Sequence, residues 1–450
     1  MIRGLGRGWP ALAAAAGVAA LLLRLPGIFN DLWLDEFWSI NVARGLGSVG
    51  AVFTSVHHEI NHHLNTVWIM AVGTESPAPL LRGLPLACGL AAVPFFVLLC
   101  GTRGSRAARI GGALFAGSYL HILYSSELRG YAGAVLAALV SLHLLRRMPA
   151  RPGVVQAAGF GAVQAAGLLS HLMFLSVMLA SLTHTAVRVR ERGGGPRDLI
   201  RACVPHAAGW LLAAGLYLVD VRFIVNGGGS AARSLVDSFG SALAWTLDAG
   251  GLGGNVAFVA FLATALAAQS GWRIVAGRDR AEAAFLAGVT LLFPVALIMH
   301  RGSDAVYPRH FLIASVFLLM LVVVALDSWW AGGGPRRLAA VLILAAYGVC
   351  GGLELADFYR LGRGDTSGMV RYLAEHGHGD VVTVAGEQDL RVLEALRFYA
   401  PRIESRRELR YFMQGQWPAE GAEFVVFTRE ASGPAGGLEV VHAGPLSYRL

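Results

Sequence analysis

The chain has 450 residues, of which 55% are hydrophobic and only 15% charged, values that exclude an ordinary soluble globular protein. Its net charge of +8 comes from arginines that cluster between apolar segments, so we interpret them as signals of membrane topology and expect no nucleic-acid partner. The four cysteines, Cys88, Cys100, Cys203 and Cys350, lie in or beside apolar segments without metal-type spacing, which argues against a disulfide framework.

Apolar runs long enough to cross a bilayer recur along the whole chain. The first follows Arg3 and Arg7, and we interpret it as an uncleaved helix because so many spans come after it. The eleven predicted spans lie at roughly 9–26, 80–101, 107–125, 130–147, 153–170, 172–189, 200–221, 251–271, 282–299, 311–330 and 337–355.

The distribution of arginines orients these spans. With a cytoplasmic N-terminus, each predicted cytoplasmic connection is basic, as the positive-inside rule expects. The C-terminus and a first long loop, residues 27–79, are then external. Residues 63–73 are apolar but too short to cross, and we predict an interfacial or re-entrant helix there. If that segment spanned, every later span would invert. A second external connection, 222–250, is glycine-rich and is predicted to be a flexible loop.

The composition changes after Tyr359, where apolar runs give way to shorter alternating patterns. Residues 1–359 form the predicted transmembrane domain, and 360–450 a small extracytoplasmic α/β domain. Helices are predicted at 366–376 and 388–399, and strands at 380–385, 423–428 and 438–442.

An acidic and aromatic stretch, Asp31-Leu-Trp-Leu-Asp-Glu-Phe-Trp-Ser-Ile-Asn41, begins shortly after the first span. Aromatic side chains favour the membrane surface, and there the environment can tune a carboxylate into a general base. Asp35 and Glu36 are therefore candidate catalytic residues, although the aromatics could equally anchor a helix end beside solvated acids.

Further polar groups fall on the same predicted external face. Two or three arginines facing acids suit a lipid phosphate, which a guanidinium binds in bidentate fashion. Structural ion pairs are the alternative interpretation. The candidates for donor-phosphate or acceptor binding are Arg82, Glu127, Arg129, Tyr131, Arg309 and His310.

Several of these motifs together resemble a known family. Leu-Trp-Leu-Asp35-Glu36, a His-rich segment near residue 60, Leu81-Arg82-Gly-Leu-Pro85, Tyr124-Ser-Ser-Glu-Leu-Arg-Gly-Tyr131 and Pro308-Arg-His-Phe-Leu312 are similar to motifs of the C-type-fold (GT-C) membrane glycosyltransferases. The branch that they resemble most contains the protein O-mannosyltransferases and aminoarabinose transferases. The resemblance covers most of the membrane region.

The resemblance implies a sugar donor on a polyprenyl phosphate, inverting transfer, and Asp35 as the base that activates the acceptor. Glu36 would be its acidic neighbour. Arg82, Glu127, Arg129 and Arg309 would lie near the donor phosphate and the acceptor. The chain departs from the family where an acidic residue is usually followed by His-Pro-Pro, since it has Glu59-Ile-Asn-His62-His63 instead. No cofactor is required, and a divalent metal stays open.

The function predicted here is transfer of a sugar from a polyprenyl-phosphate donor to an extracytoplasmic lipid, glycan or protein, in the inner membrane of a bacterium. Two alternatives remain. His58-Glu59-Ile-Asn-His62 matches the H-E-x-x-H motif of zinc metalloproteases, and His58, Glu59, His62 and His63 form a secondary cluster that could hold a metal. Intramembrane charges also mark the paths of lipid or solute transporters.

Overall fold

The computed structural model of the protein describes residues 9–58, 60–224, 234–301, 307–387, 389–404, 407–417 and 421–427. Within these residues the chain is mostly α-helical, and it has one small sheet near the C-terminus. Long apolar helices make it a polytopic, integral membrane protein with a small C-terminal α/β unit, as the sequence predicted.

The N-terminal half contains one long helix, a set of short helices, and then a run of longer ones. They are α1 (Trp9–Arg24), α2 (Leu34–Arg44), α3 (Ala51–Thr54), α4 (His63–Val72), α5 (Ala78–Leu81), α6 (Gly83–Gly101), α7 (Ser105–Gly117), α8 (Tyr119–Ser125), α9 (Tyr131–Arg147), α10 (Val154–Ser170) and α11 (Leu175–Glu191).

The second half continues the bundle and ends in two helices of the C-terminal unit. They are α12 (Pro196–Cys203), α13 (Ala207–Val219), α14 (Leu235–Thr246), α15 (Gly254–Ala276), α16 (Arg280–Ala287), α17 (Phe293–Arg301), α18 (Leu312–Gly332), α19 (Gly334–Leu361), α20 (Thr366–His376) and α21 (Asp389–Tyr399).

Every predicted span coincides with helical structure, but the spans differ in length and continuity. Among the described residues, seven stretches are long and apolar enough to cross a membrane: Trp9–Phe29, Gly83–Gly101, Leu172–Glu191, Pro196–Phe223, Gly254–Ala276, Pro308–Gly332 and Gly334–His376. The other predicted spans are shorter or interrupted. The helix over 107–125 breaks at Ser118, and a π-helical turn, Gly288–Leu292, separates α16 from α17. The total of eleven spans stays a prediction.

The two predicted external loops contain helices. The segment 63–73 forms the ten-residue helix α4, too short to span, as the sequence predicted. It packs against α2 and α10. The expectation of a flexible loop over 222–250 is wrong for its second half, because residues 235–246 form α14, which packs on α15 and α18.

Helix α18 is the centre of the bundle. Its residues from Leu312 to Leu326 are all buried, and it packs against α7, α14, α15 and α19. A helix that is apolar on every side is expected where it is surrounded by other helices. The chain just before α18 therefore has a fixed position at the end of the bundle.

The C-terminal unit contains a three-stranded parallel sheet of β1 (Val381–Gly386), β2 (Glu408–Tyr411) and β3 (Phe424–Val426), in the order β2-β1-β3. Both predicted helices, β1 and β3 are present, whereas the sequence did not indicate β2. The predicted strand at 438–442 lies outside the described residues, and the domain boundary at 359/360 stays a prediction.

The C-terminal unit and the predicted first external loop share one hydrophobic core. Leu32, Phe37 and Ile40 from the segment around α2 are buried in the same cluster as Val382 and Phe398. The Phe37 ring lies 5.6 Å from the Phe398 ring, centroid to centroid. Helix α2 is therefore fixed from the side of the C-terminal unit as well as by the bundle.

Candidate active site

Helix α2 carries both acidic candidates in its first turn. Carboxylates are favourable there because the first backbone N–H groups of a helix lack partners within it. The Glu36 side chain folds back so that its Oε2 accepts from the backbone N–H of Trp33 at 3.2 Å. Asp35 is one residue earlier and points to a different set of neighbours.

Glu36 forms a buried, bidentate ion pair with Arg82, with Nε–Oε1 and Nη2–Oε2 distances of 2.8 and 2.6 Å. The backbone N–H of Leu128 also donates to Glu36 Oε1, at 2.7 Å. The other N–H groups of Arg82 donate to the backbone carbonyls of Ile28, Asn30 and Asp31. These contacts engage all five guanidinium donors.

This geometry corrects two expectations from the sequence. Glu36 accepts hydrogen bonds on both oxygens and is fully buried, so it is not available as the catalytic residue that the sequence suggested. Arg82 has no N–H group left for a phosphate. The pair instead ties the start of α2 to the chain before α6 and to the segment that precedes Arg129.

Asp35 lies between two guanidinium groups. Its Oδ2 accepts from Arg129 Nη1 in a short ion pair and lies 3.4 Å from Arg309 Nη1. Its Oδ1 has no hydrogen bond from any described residue, and the side chain is 13% exposed. Two arginines facing one aspartate leave this cluster with one positive charge in excess.

Arg129 is held from a second side by His62. The Nε of Arg129 donates to His62 Nε2 at 3.1 Å, which requires the neutral imidazole. Burial, and then the neighbouring Arg129 charge, hold the pKa of His62 well below its usual value, in agreement with that contact. His62 therefore orients a guanidinium in this structure.

Aromatic rings surround this contact. The Tyr131 ring lies 5.5 Å from the His62 ring, 4.6 Å from the His171 ring and 4.8 Å from the Tyr124 ring. The Arg129 guanidinium lies 5.4 Å from the Tyr131 centroid, within cation–π range. Tyr131, which the sequence indicated as a binding residue, thus contacts Arg129 through the face of its ring.

Arg309 and His310 lie in the 3₁₀ turn Pro308–Phe311 that precedes α18. The Arg309 guanidinium lies 4.5 Å from the Tyr307 ring and reaches Asp35 from there. His310 faces its own turn, where its Nδ1 accepts from the backbone N–H of Tyr307 at 3.4 Å. The structure therefore brings Arg309, but not His310, to Asp35 by a described contact.

Glu127 forms a buried ion pair with Arg363, a residue that the sequence analysis did not select. Arg363 follows α19 at the junction with the C-terminal unit, and its guanidinium also lies 4.5 Å from the Trp33 ring. Glu127 thus has a cationic partner of its own and is separate from the cluster around Asp35. The signal for Arg363 was one arginine between two glycines at the end of the last apolar run.

The H-E-x-x-H segment does not form the helix on which a zinc protease depends. His62 precedes the first turn of α4, and residues 55–58 and 60–62 are outside any helix; Glu59 lies outside the described residues. The His58 ring lies 6.0 Å from Trp38, whereas His62 contacts Arg129. The two imidazoles therefore contact different residues and do not face a common site.

His63 belongs to a second buried group. Its Nε2 lies 2.7 Å from Asp220 Oδ2, and His57 Nδ1 lies 3.0 Å from Asp220 Oδ1. Asp220 directly follows α13, so this contact fixes the loop before α4 on the bundle. Within the part of the chain that the structure describes, no group of three or more His, Cys, Asp or Glu residues is arranged to hold a metal ion.

The fold, with this site at one end of the bundle, is similar to that of solved membrane enzymes. ArnT from Cupriavidus metallidurans bound to undecaprenyl phosphate matches with a TM-score of 0.55 and 15% identity over 90% of each chain. The same enzyme in the apo state matches with a TM-score of 0.53 and 14% identity over 90% of this chain and 85% of that chain. The chain has the GT-C fold.

A further GT-C structure has a larger chain. The archaeal oligosaccharyltransferase AglB from Archaeoglobus fulgidus, in complex with an inhibitory peptide and a dolichol-phosphate, matches with a TM-score of 0.52 and 10% identity over 89% of this chain and 64% of that chain. No family model matches the sequence, and no curated protein matches it significantly. At these identities the GT-C likeness concerns the fold, and the activity must be argued from the site.

Proposed function

We propose that this GT-C protein transfers a sugar from a polyprenyl-phosphate donor to an acceptor hydroxyl at the extracytoplasmic face of a bacterial inner membrane. The observation that carries the proposal is the position of Asp35, whose carboxylate lies between two arginines and keeps one oxygen without a described partner. A base and a cationic phosphate site then lie within one cluster. The solved neighbours, which hold undecaprenyl phosphate and dolichol-phosphate, support a donor of this chemical class.

The reaction is a single displacement at the anomeric carbon. Asp35 takes the proton of the acceptor hydroxyl, whose oxygen forms a bond to that carbon from the face opposite the phosphate. The bond between the anomeric carbon and the phosphate oxygen breaks, and the polyprenyl phosphate departs with the electron pair. The configuration inverts because one displacement occurs.

Arg129 and Arg309 stabilise the departing phosphate. Negative charge develops on that group in the transition state, and preorganised guanidinium donors are most effective where charge develops. Arg309 has the longer contact with Asp35, 3.4 Å, and is the donor that can most readily turn to the phosphate. Arg129 is the more fixed of the two, because His62 and Tyr131 also hold it.

The test is sugar transfer by purified protein from a panel of radiolabelled polyprenyl-phosphate hexoses and pentoses, comparing the wild type with Asp35→Asn. Loss of a general base typically lowers the rate by about 10²–10⁴. Asp357→Asn is the matched control, since the Asp357 side chain is 57% exposed and pairs only on the surface with Arg360.

Two results would contradict this function. One is an Asp35→Asn variant that is folded and transfers sugar at the wild-type rate. The other is a wild-type protein that is folded in detergent and in liposomes but transfers no sugar from any donor of the panel.

A further inference from the structure

The junction between α19 and the C-terminal unit is a turn with a defined backbone conformation. Gly362 and Gly364 both have positive φ, 58° and 125°, which side chains other than glycine rarely adopt. The Gly362 N–H donates to the Phe358 carbonyl at 2.9 Å and ends the helix. A Cβ at Gly362 would lie 3.2 Å from Asn30 Cγ, so the turn is also close-packed against the loop that precedes α2.

The loop before α2 contacts this junction and the start of α20 through three residues. Asn30 Nδ2 donates to the Phe358 carbonyl at 3.3 Å, and Asp31 Oδ2 accepts from the Ser367 N–H at 2.5 Å. The Trp33 ring then lies 4.5 Å from the Arg363 guanidinium. Arg363 is thereby directed into the protein, and its side chain is only 4% exposed.

Arg363 reaches the second segment of the site through Glu127. The side chains of this ion pair are 4% and 2% exposed, so the pair is shielded from water. Three successive residues are then anchored separately: Glu127 by Arg363, the Leu128 N–H by Glu36, and Arg129 by Asp35. Arg363 is the anchor that comes from outside the membrane domain.

We infer that Arg363 is a positioning residue of the active site, which aligns the base segment around Trp33 and Asp35 with the arginine segment 127–129. It acts through Glu127 and Trp33 and does not touch the reacting atoms. The junction that carries it also leads into the C-terminal unit, so this turn links the position of that unit to the alignment of the site. This inference rests on the proposed function for its activity readout.

The physical reason is that proton transfer to Asp35 and hydrogen bonding from Arg129 to the phosphate both work only over short distances. A displacement of about 1 Å in a catalytic group can lower the rate about a hundredfold. Without Arg363, the Glu127 carboxylate is left buried and unpaired, and it must move toward water or take up a proton. Either response shifts Leu128 and Arg129, because they follow Glu127 directly in the chain.

The first experiment compares Arg363→Met, which keeps the length of the stem, with Arg363→Lys and with Arg360→Met as the control. Arg360 is three residues away and 74% exposed. We expect Arg363→Met to lower kcat/KM by about ten- to hundredfold, mainly through kcat, Arg363→Lys to recover part of it, and the control to stay near the wild type.

Non-additivity tests the route through Glu127. Adding Glu127→Gln to Arg363→Met removes the unpaired charge, so the double variant should be no slower than Arg363→Met alone. Independent, multiplying losses would overturn the inference, and so would an Arg363→Met variant with wild-type kcat/KM.

Hydrogen exchange on the same proteins needs no donor, so it separates failure of this inference from failure of the proposed function. Arg363→Met should speed exchange in both 30–36 and 126–131, where the N–H groups of Trp33 and Leu128 report directly. Faster exchange in both segments supports the positioning role even if no donor is ever used. Exchange that rises only in the C-terminal unit, with 126–131 unchanged, overturns it.

Discussion

Asp35 and Glu36 are adjacent in the sequence, yet their carboxylates lie in opposite environments. Glu36 is fully buried, and both of its oxygens are engaged by Arg82 and two backbone N–H groups. Asp35 is partly exposed, shares two arginines and has an oxygen without a described partner. The same chemical group is thus a structural clamp at one position and a reactive group at the next, because neighbouring residues of a helix point about 100° apart.

The largest expected effect is a difference in the free energy of unfolding between variants of the two carboxylates. Glu36→Gln leaves the Arg82 charge buried without its partner, and breaking such a pair costs about 3–5 kcal/mol in the free energy of unfolding. Asp35→Asn should cost less than Glu36→Gln, because the Asp35 side chain is 13% exposed and one of its oxygens has no described partner. Thermal unfolding in detergent measures both. Equal losses in the two variants would contradict the division into clamp and base.

The next effect separates the two arginines that face Asp35. Arg309→Met should lower kcat/KM for the donor by about 10–100-fold, through both kcat and KM, because a hydrogen bond to a charged group contributes about 1.5–3 kcal/mol. Arg129→Met should lower kcat further, because Arg129 also contacts His62 and Tyr131. Steady-state kinetics on the donor give both constants. Arg371→Met, at an exposed position of α20, is the control and should change neither constant.

A smaller effect concerns pH. The folded-state pKa of His62 lies well below its unfolded value of about 6.5. The unfolded chain therefore binds a proton first, so the stability that neutral His62 provides is complete above pH 6.5 and is lost as the pH falls below it. The slope for this one group is at most about 1.4 kcal/mol per pH unit.

His62→Gln should remove that slope. Melting temperatures of the wild type and the variant between pH 7.5 and 5.0 test it, and parallel curves would show that folding leaves the His62 pKa unchanged, which contradicts a buried neutral imidazole. Transfer by the wild type should not depend on His62 titration near neutral pH.

The smallest effect is expected at Glu75, which is exposed to solvent, whereas the Glu36–Arg82 pair is buried. Its carboxylate bridges Arg44 of α2 and Arg402 after α21 at 2.7 Å each, and it is 69% exposed. Exposed pairs contribute about 0–1 kcal/mol, so Glu75→Ala should hardly change the melting temperature. The hydrogen bond from Arg44 lowers the Glu75 pKa, so any contribution is present at neutral pH and fades in acid. A loss comparable to that of Glu36→Gln would contradict this ranking by burial.

The sequence by itself determined the membrane class, the positions of the long helices, the short helix α4 and most of the C-terminal elements. These depend on local hydrophobicity and period, which a window of residues contains. The same reasoning selected Asp35, Arg129, Tyr131 and Arg309, because polar residues at the ends of apolar runs meet at one face of a bundle.

Only the tertiary structure decided which charge pairs with which. Arg82 and Glu36 are 46 residues apart in the sequence, and Arg363 and Glu127 are much farther apart. No local sequence pattern therefore predicts either pair. Apart from the family resemblance, nothing in the sequence assigned different roles to Glu36 and Asp35. Nor did it indicate that His62 contacts Arg129 and does not form a metal pair with His58. An ion pair depends on three-dimensional distance and burial, and the packing of α2 between the bundle and the C-terminal unit sets both.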